Sequence, residues 1–352
     1  MAIYAVWNNK GGVGKSYLTF QMATEYASQH RNKKVLVIDL CPQANSSSMI
    51  LGGMIDGENN LNSIHSAQTR KTISGYIDDR IRSPYVPTST GAGYVINASR
   101  YNSYIPDNLY LVTGDEQLEL QSSRVTSASY PGPNDAWRSV HLWIKDLIID
   151  IQQSWDNAET TVFIDCNPSF SIYTELALTA SDRLLIPFSA DGSSKRAVKA
   201  LLALVYGERR HANEPQSEFY LNTNRYSMTA PEIYMYIGNR LTQMNSSSAS
   251  AFKTVVSEIG DEIWNVWQTK PNLFCIHPNG ASTPNNKRSF RSMFQYEVND
   301  ANTASVVSGA LGIPIRSLTA GQKIVAGKKI KVNQTQLDKQ VPNIIDLVSS
   351  IE

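Results

Sequence analysis

Residues 8–17 read NNKGGVGKSY and concentrate groups suited to phosphate chemistry. Gly11, Gly12 and Gly14 carry no side chain, so backbone N–H groups can close on phosphate oxygens. Lys15 offers a cation for β- and γ-phosphates, and Ser16 offers a hydroxyl ligand for Mg2+. The usual spacing, G-x-x-x-x-G-K-[ST], would put the first glycine at position 9, where Asn9 stands and Lys10 follows. A magnesium nucleoside triphosphate keeps roughly two negative charges, so a second lysine has something to balance. Lys10 precedes the turn and is expected to point away from its own phosphates, towards a neighbouring molecule. Two carboxylates, Asp39 in KVLVIDL and Asp165 in TTVFIDC, close apolar runs. Sites in open α/β sheets form at the carboxyl ends of strands; without the loop, either Asp reads as a turn or cap residue. Asn239, after YMYIG, carries an amide that both donates and accepts, as adenine requires, or is a turn residue.

These groups need a strand, a turn and a helix in that order. The reading places a strand at 2–7, the turn at 10–15 and a helix from Ser16 to about Tyr26. Further nearly continuous apolar runs cover 34–40, 160–166, 183–188 and 234–241, with a weaker one at 108–114. Runs without alternation suit a parallel sheet covered on both faces. Trp137, Val140, Trp143, Leu147 and Ile151 repeat at helix spacing, as do Val198, Leu201, Leu202, Val205 and Tyr206 before a stop at Gly207. The expected fold class is therefore α/β, a doubly wound, mostly parallel sheet flanked by helices. We expect one domain over 1–352, with a Ser-, Asn- and Tyr-rich surface insertion at about 53–135 and an irregular stretch at about 268–295.

Composition removes several classes. With 32 Lys and Arg against 31 Asp and Glu, there is no overall coat of positive charge, although a local patch suffices for nucleic acid. Cys41, Cys166 and Cys275 show no C-x-x-C spacing, which argues against a zinc or iron–sulfur site. No run of 18 apolar residues and no leader pattern occur, so a cytoplasmic location is expected.

KGGVGKS resembles the deviant Walker A box of the ParA/MinD family of ATPases, with plasmid-partition ParA chains and their cargo-positioning relatives the nearest in type. VLVIDLCPQANSS is similar to its switch I segment, VFIDCNPSF to its Walker B and switch II stretch, IGNR to its adenine-contacting strand end, and EVNDANTASVVSGALGIPI to the later part of plasmid-type chains. The resemblance implies ATP and Mg2+ as cofactors. Residues Lys10 to Tyr17, including Val13, would form the nucleotide loop with Asn239 and Arg240 at the base. Ser16 would ligate Mg2+, and Asp39 and Asp165 would act on it through water. Lys10 would cross to the nucleotide of a second copy, in an ATP-sandwich homodimer. Where the family has a second switch I aspartate, this chain has Cys41, a weak acceptor that is mostly neutral at pH 7. Cys41 either leaves hydrolysis slow, or leaves the water to be oriented by another group such as Asn45, or merely packs.

Two basic clusters, Lys287, Arg288 and Arg291, and Lys323, Lys328, Lys329 and Lys331, are solvated faces or contacts to nonspecific double-stranded DNA. The resemblance implies DNA binding by the ATP dimer, association with the nucleoid, and hydrolysis stimulated by a ParB-like or small adaptor protein. The alternatives are a MinD-like membrane-associated ATPase and a nucleotide-gated scaffold that scarcely hydrolyses ATP. The C-terminal segment carries an apolar face but ends acidic, so no membrane partner is expected.

Overall fold

The computed structural model describes residues 1–130, 132–209, 211, 213–241, 246–277 and 281–352, without the side chains of 240–252. Its centre is a parallel sheet whose strands are buried on both faces. β1 (Ala2–Val6) sends Ile3, Ala5 and the following Trp7 into one apolar cluster and Tyr4 and Val6 into the other. That double burial explains the absence of polar–apolar alternation in the sequence.

From β1 the chain passes through α1 (Lys15–Gln29) to β2 (Lys34–Leu40), then α2 (Asn45–Ile50), α3 (Asp56–Ser66) and α4 (Ile73–Arg82). β3 (Ile96–Asn97) and β4 (Leu109–Val112) follow, then α5 (Leu118–Ser129), α6 (Ala136–His141) and α7 (Trp143–Ser154). β5 (Thr160–Cys166), α8 (Ile172–Ala180), β6 (Arg183–Phe188), α9 (Gly192–Tyr206), α10 (Glu218–Arg225) and β7 (Glu232–Leu241) build the second half. α11 (Ser246–Thr269), α12 (Lys287–Phe294), β8 (Gln295–Asn299) and α13 (Thr303–Leu311) lead to a hairpin, β9 (Gly321–Val325) and β10 (Lys328–Val332), and to α14 (Gln334–Ser349).

The main sheet runs β3-β4-β2-β5-β1-β6-β7-β8, and its pairs are parallel except β3 with β4. The expected doubly wound α/β class holds. The apolar stripe at 136–154 forms two helices, with Trp137, Val140, Trp143, Leu147 and Ile151 all buried. Gly207, at φ 67°, stops α9.

The segment 53–135 differs from the surface insertion expected of it. It supplies β4, hydrogen-bonded beside β2, and buries Ile73, Tyr76, Ile77, Leu111, Leu118 and Val125. Its polar composition hides this because short apolar patches are enough to pack an outer strand and two helices. Within 268–295 the irregular chain ends at α12, capped by Asn286. No helix among the described residues is long and apolar enough to cross a membrane. α14 turns Ile344, Leu347 and Val348 into the core.

Candidate functional site

The loop between β1 and α1 has the backbone that glycine permits: φ is 75° at Gly12 and 82° at Gly14, where a side chain would be strained. Gly14 is also the N-cap of α1, so the helix presents its N-terminal N–H groups beside the loop. Lys15 is almost wholly buried, and its Nζ donates to Lys10 O (2.9 Å) and Asn8 O (3.4 Å). Burial pushes its pKa down, and Asp165 pulls it back up. Gly12, Gly14, Lys15, Ser16 and Tyr17 line a cavity of about 700 Å3 with Cys41, Cys166 and residues of α13, a size suited to a nucleotide. Tyr17 turns its hydroxyl onto Gln340 Oε1 at 3.0 Å. Val13 is buried, and its carbonyl accepts from Asn239 Nδ2 at 2.9 Å.

Asp39 and Asp165 face each other in register across β2 and β5, both fully buried. Their surroundings differ. Asp39 Oδ1 accepts from Cys41 N (3.0 Å), and Oδ2 accepts from Ser47 N (3.0 Å) and Ser47 Oγ (2.7 Å). The carboxylate thus folds the switch segment around itself. Neither oxygen of Asp165 has a hydrogen-bond partner. Burial, and then the Asp39 charge, raise the Asp165 pKa to about 7; the nearby Ser16 and Ser46 hydroxyls pull the other way without completing a bond. Ser46 Oγ, Asn8 Oδ1 and Asn239 Oδ1 are likewise buried without partners. Buried polar atoms are rarely left so, and Asp165 stands in register with Val6 at the end of β1, where the glycine loop begins. A divalent cation fits the group: a desolvated carboxylate, a serine at the helix start and no competing basic partner on Asp165.

Cys41 is buried against the same cavity, and burial followed by the Asp39 charge pushes its thiol up to about 12. It is therefore a neutral thiol at any physiological pH. Asn45 lines the cavity as well, its Nδ2 donating to Gln43 Oε1.

Lys10 is held by a cradle that sequence reasoning missed. Its Nζ donates to Ser189 Oγ (3.0 Å) and Ser194 Oγ (3.2 Å) and forms an ion pair with Asp191. Asp191 also caps α9 through Ser193 N and Ser194 N. Burial works against its charge, but bonds from Lys10, Ser193 and Ser189 hold its carboxyl well below the usual range. The signal was present as ADGSS just past β6, another strand end beside the loop. A second missed support is Gly114, whose N–H donates to Ser47 Oγ at 2.9 Å; a Cβ there would meet Asp39 Cγ at 2.9 Å. Next to it, Asp115 takes a two-pronged ion pair from Arg70 and hydroxyls from Thr72 and Ser74.

The other expected residues lie elsewhere. The backbone of Arg240 continues β7, and its side chain lies outside the described residues. Lys287 and Arg291 both pair with Asp261, at 3.0 and 2.6 Å, while Arg288 is exposed on α12. Lys328, Lys329 and Lys331 are exposed on β10.

A family model described as an AAA domain matches residues 1–215. The sporulation initiation inhibitor protein Soj of Bacillus subtilis is 25% identical over 212 residues, 60% of this chain and 67% of Soj. The chromosome partitioning protein ParA of Caulobacter vibrioides is 22% identical over 268 residues, 75% of this chain and 79% of that one. The structure of an ATP complex of a Cyanothece McdA variant shares the fold at a TM-score of 0.59 and 14% identity, covering 100% of this chain and 98% of that one. The chain belongs to the AAA-domain family and, within it, is a ParA/MinD-type ATPase.

Proposed function

We propose that this chain is a magnesium- and ATP-dependent dimerising ATPase. In its ATP form it binds nonspecific double-stranded DNA, and it partitions a replicon or positions a large cargo. The observation that carries the reading is the buried Asp165 carboxylate, without a hydrogen-bond partner on either oxygen, at the strand end beside the glycine loop. The loop N–H groups and Lys15 hold the phosphates. Ser16 and Asp165, with Asp39 behind them, hold Mg2+, which supplies charge neutralisation at the phosphates. Asn239 spends its Nδ2 on Val13 and keeps Oδ1 as an acceptor for the amino group of adenine. Lys10 exchanges Asp191 for the phosphates of a second copy. A ParB-like or small adaptor protein accelerates hydrolysis.

Size-exclusion chromatography with light scattering tests this in ADP and in ATP. The wild type is expected to move from monomer to dimer in ATP, and Lys10→Ala to move far less. A wild type that stays monomeric in ATP refutes the sandwich dimer. A second reading, a nucleotide-gated scaffold with very slow hydrolysis, is favoured by Cys41, because a neutral buried thiol cannot orient water as a carboxylate does.

A further inference from the structure

We propose that the β9–β10 hairpin is the surface that grips duplex DNA, and that α13 makes the grip depend on the nucleotide. The inference rests on the reading above that the ATP form binds nonspecific DNA.

The chain between Asp300 and Asp338 contains no Asp or Glu, yet it carries Arg316, Lys323, Lys328, Lys329 and Lys331. Arg316 is spent on Glu25. The four lysines fall on one two-stranded ribbon, closed by Ala326 (φ 48°) and Gly327 (φ 77°) as a tight hairpin turn requires. Strand pairing sorts its side chains. Val325 and Val332 are buried on the inner face, from which Lys323 and Lys328 also spring, whereas Gln322, Ile324, Lys329 and Lys331 are exposed on the outer face. Lys329 stands opposite Ile324 and Lys331 opposite Gln322. Among the described residues no carboxylate pairs with Lys328, Lys329 or Lys331. The α12 cluster is different: Lys287 and Arg291 share Asp261, and Arg291 is further tied to Ser257.

Duplex DNA is the occupant that this chemistry fits. A two-stranded ribbon enters a major groove, and unpaired ammonium groups along it meet phosphates. Ammonium contacts to phosphate oxygens carry no sequence information, so a grip made through them is blind to sequence. A bilayer is a poorer match. Ile324 is the one apolar side chain on the outer face, too little to anchor a membrane without an amphipathic helix or a lipid chain.

Coupling to the nucleotide runs through α13. Ser305, Val306, Gly309 and Ala310 line the nucleotide cavity, and both hairpin strands pack on the same helix. α13 is also tied to the loop helix: Gln21 Nε2 donates to Ser308 Oγ at 2.8 Å, and Ser305 Oγ shares Gln340 Oε1 with Tyr17. A shift of α1 or α13 on ATP binding therefore reaches the ribbon through buried contacts.

The test is fluorescence anisotropy with a labelled random-sequence duplex, in ATP and in ADP, over a salt series. Lys329→Ala and Lys331→Ala together should weaken ATP-state binding at least tenfold and reduce the salt slope by up to about 2. The same two changed to Arg should restore binding, and all variants should keep ATP-driven dimerisation. If the wild type binds DNA and the alanine variant binds equally well, the hairpin assignment falls while the proposed function stands. If hairpin-dependent binding is equal in ADP and ATP, the coupling through α13 falls. A wild type that ignores duplex in both states, or instead pellets with phosphatidylglycerol vesicles, overturns the proposed function and this inference with it.

Discussion

β2 and β5 lie side by side and end in register on Asp39 and Asp165, yet the two strand ends behave oppositely. The first is closed: its carboxylate is satisfied by the chain that follows it, through Cys41 N and Ser47. The second is open: its carboxylate is equally buried and has no partner. Two identical side chains at matching positions thus differ: one shapes the segment after β2, and the other, on the proposed reading, is left to meet a ligand. Which task a strand-end Asp takes is decided by the few residues after it, not by the strand.

The comparison predicts different losses. The largest is in folding. Asp39→Ala strands two buried N–H groups and a hydroxyl, and is expected to cost roughly 3–5 kcal/mol in urea unfolding. Asp165→Asn should leave nucleotide-free stability at pH 7 unharmed or improved, while weakening magnesium-dependent nucleotide binding about 10- to 100-fold by calorimetry. If the two variants exchange these outcomes, the division is wrong.

A smaller effect is in pH dependence. Burial raises the carboxyls of both Asp165, to about 7 from the ordinary 3.8, and Asp39, so the folded pair keeps a proton that the unfolded state releases. Wild-type stability without nucleotide should therefore fall as pH rises from about 4 to 7, since the folded state binds more protons there. Urea midpoints across that window should show the fall, and Asp165→Asn should lessen it, the buried Asp39 carboxyl keeping the remainder. The smallest effect concerns turnover. Cys41→Asp places a third carboxylate beside the pair and should raise ATP hydrolysis several-fold, at some loss of stability. An unchanged rate assigns water positioning to another group and leaves Cys41 as packing.

Much of this site was legible because its geometry is local. The loop, with Lys15 and Ser16 at its end, lies within ten residues, and strand ends are marked by apolar runs stopping at Asp39 and Asp165. What escaped was long-range. Lys10 finds Asp191 across 181 residues, because β6 is the neighbour of β1 in space and not in sequence. Gly114 reaches Ser47 from a segment whose polar composition reads as surface, and only pairing of β4 with β2 brings them together. The hairpin shows the same limit. Four lysines are visible in the sequence, but their unbalanced exposure, against the Asp261-bound charges of α12, follows from which acids fold beside them.

Lys15 also braces the loop it serves, its ammonium bridging the carbonyls of Asn8 and Lys10. The turn is thus knotted from within by its own cation. Entry of a triphosphate then requires the lysine to trade two neutral oxygens for charged ones, with little rearrangement of the main chain. On the proposed reading, capture should accordingly be fast and governed by encounter, leaving slower steps such as subunit pairing to set the tempo of the cycle.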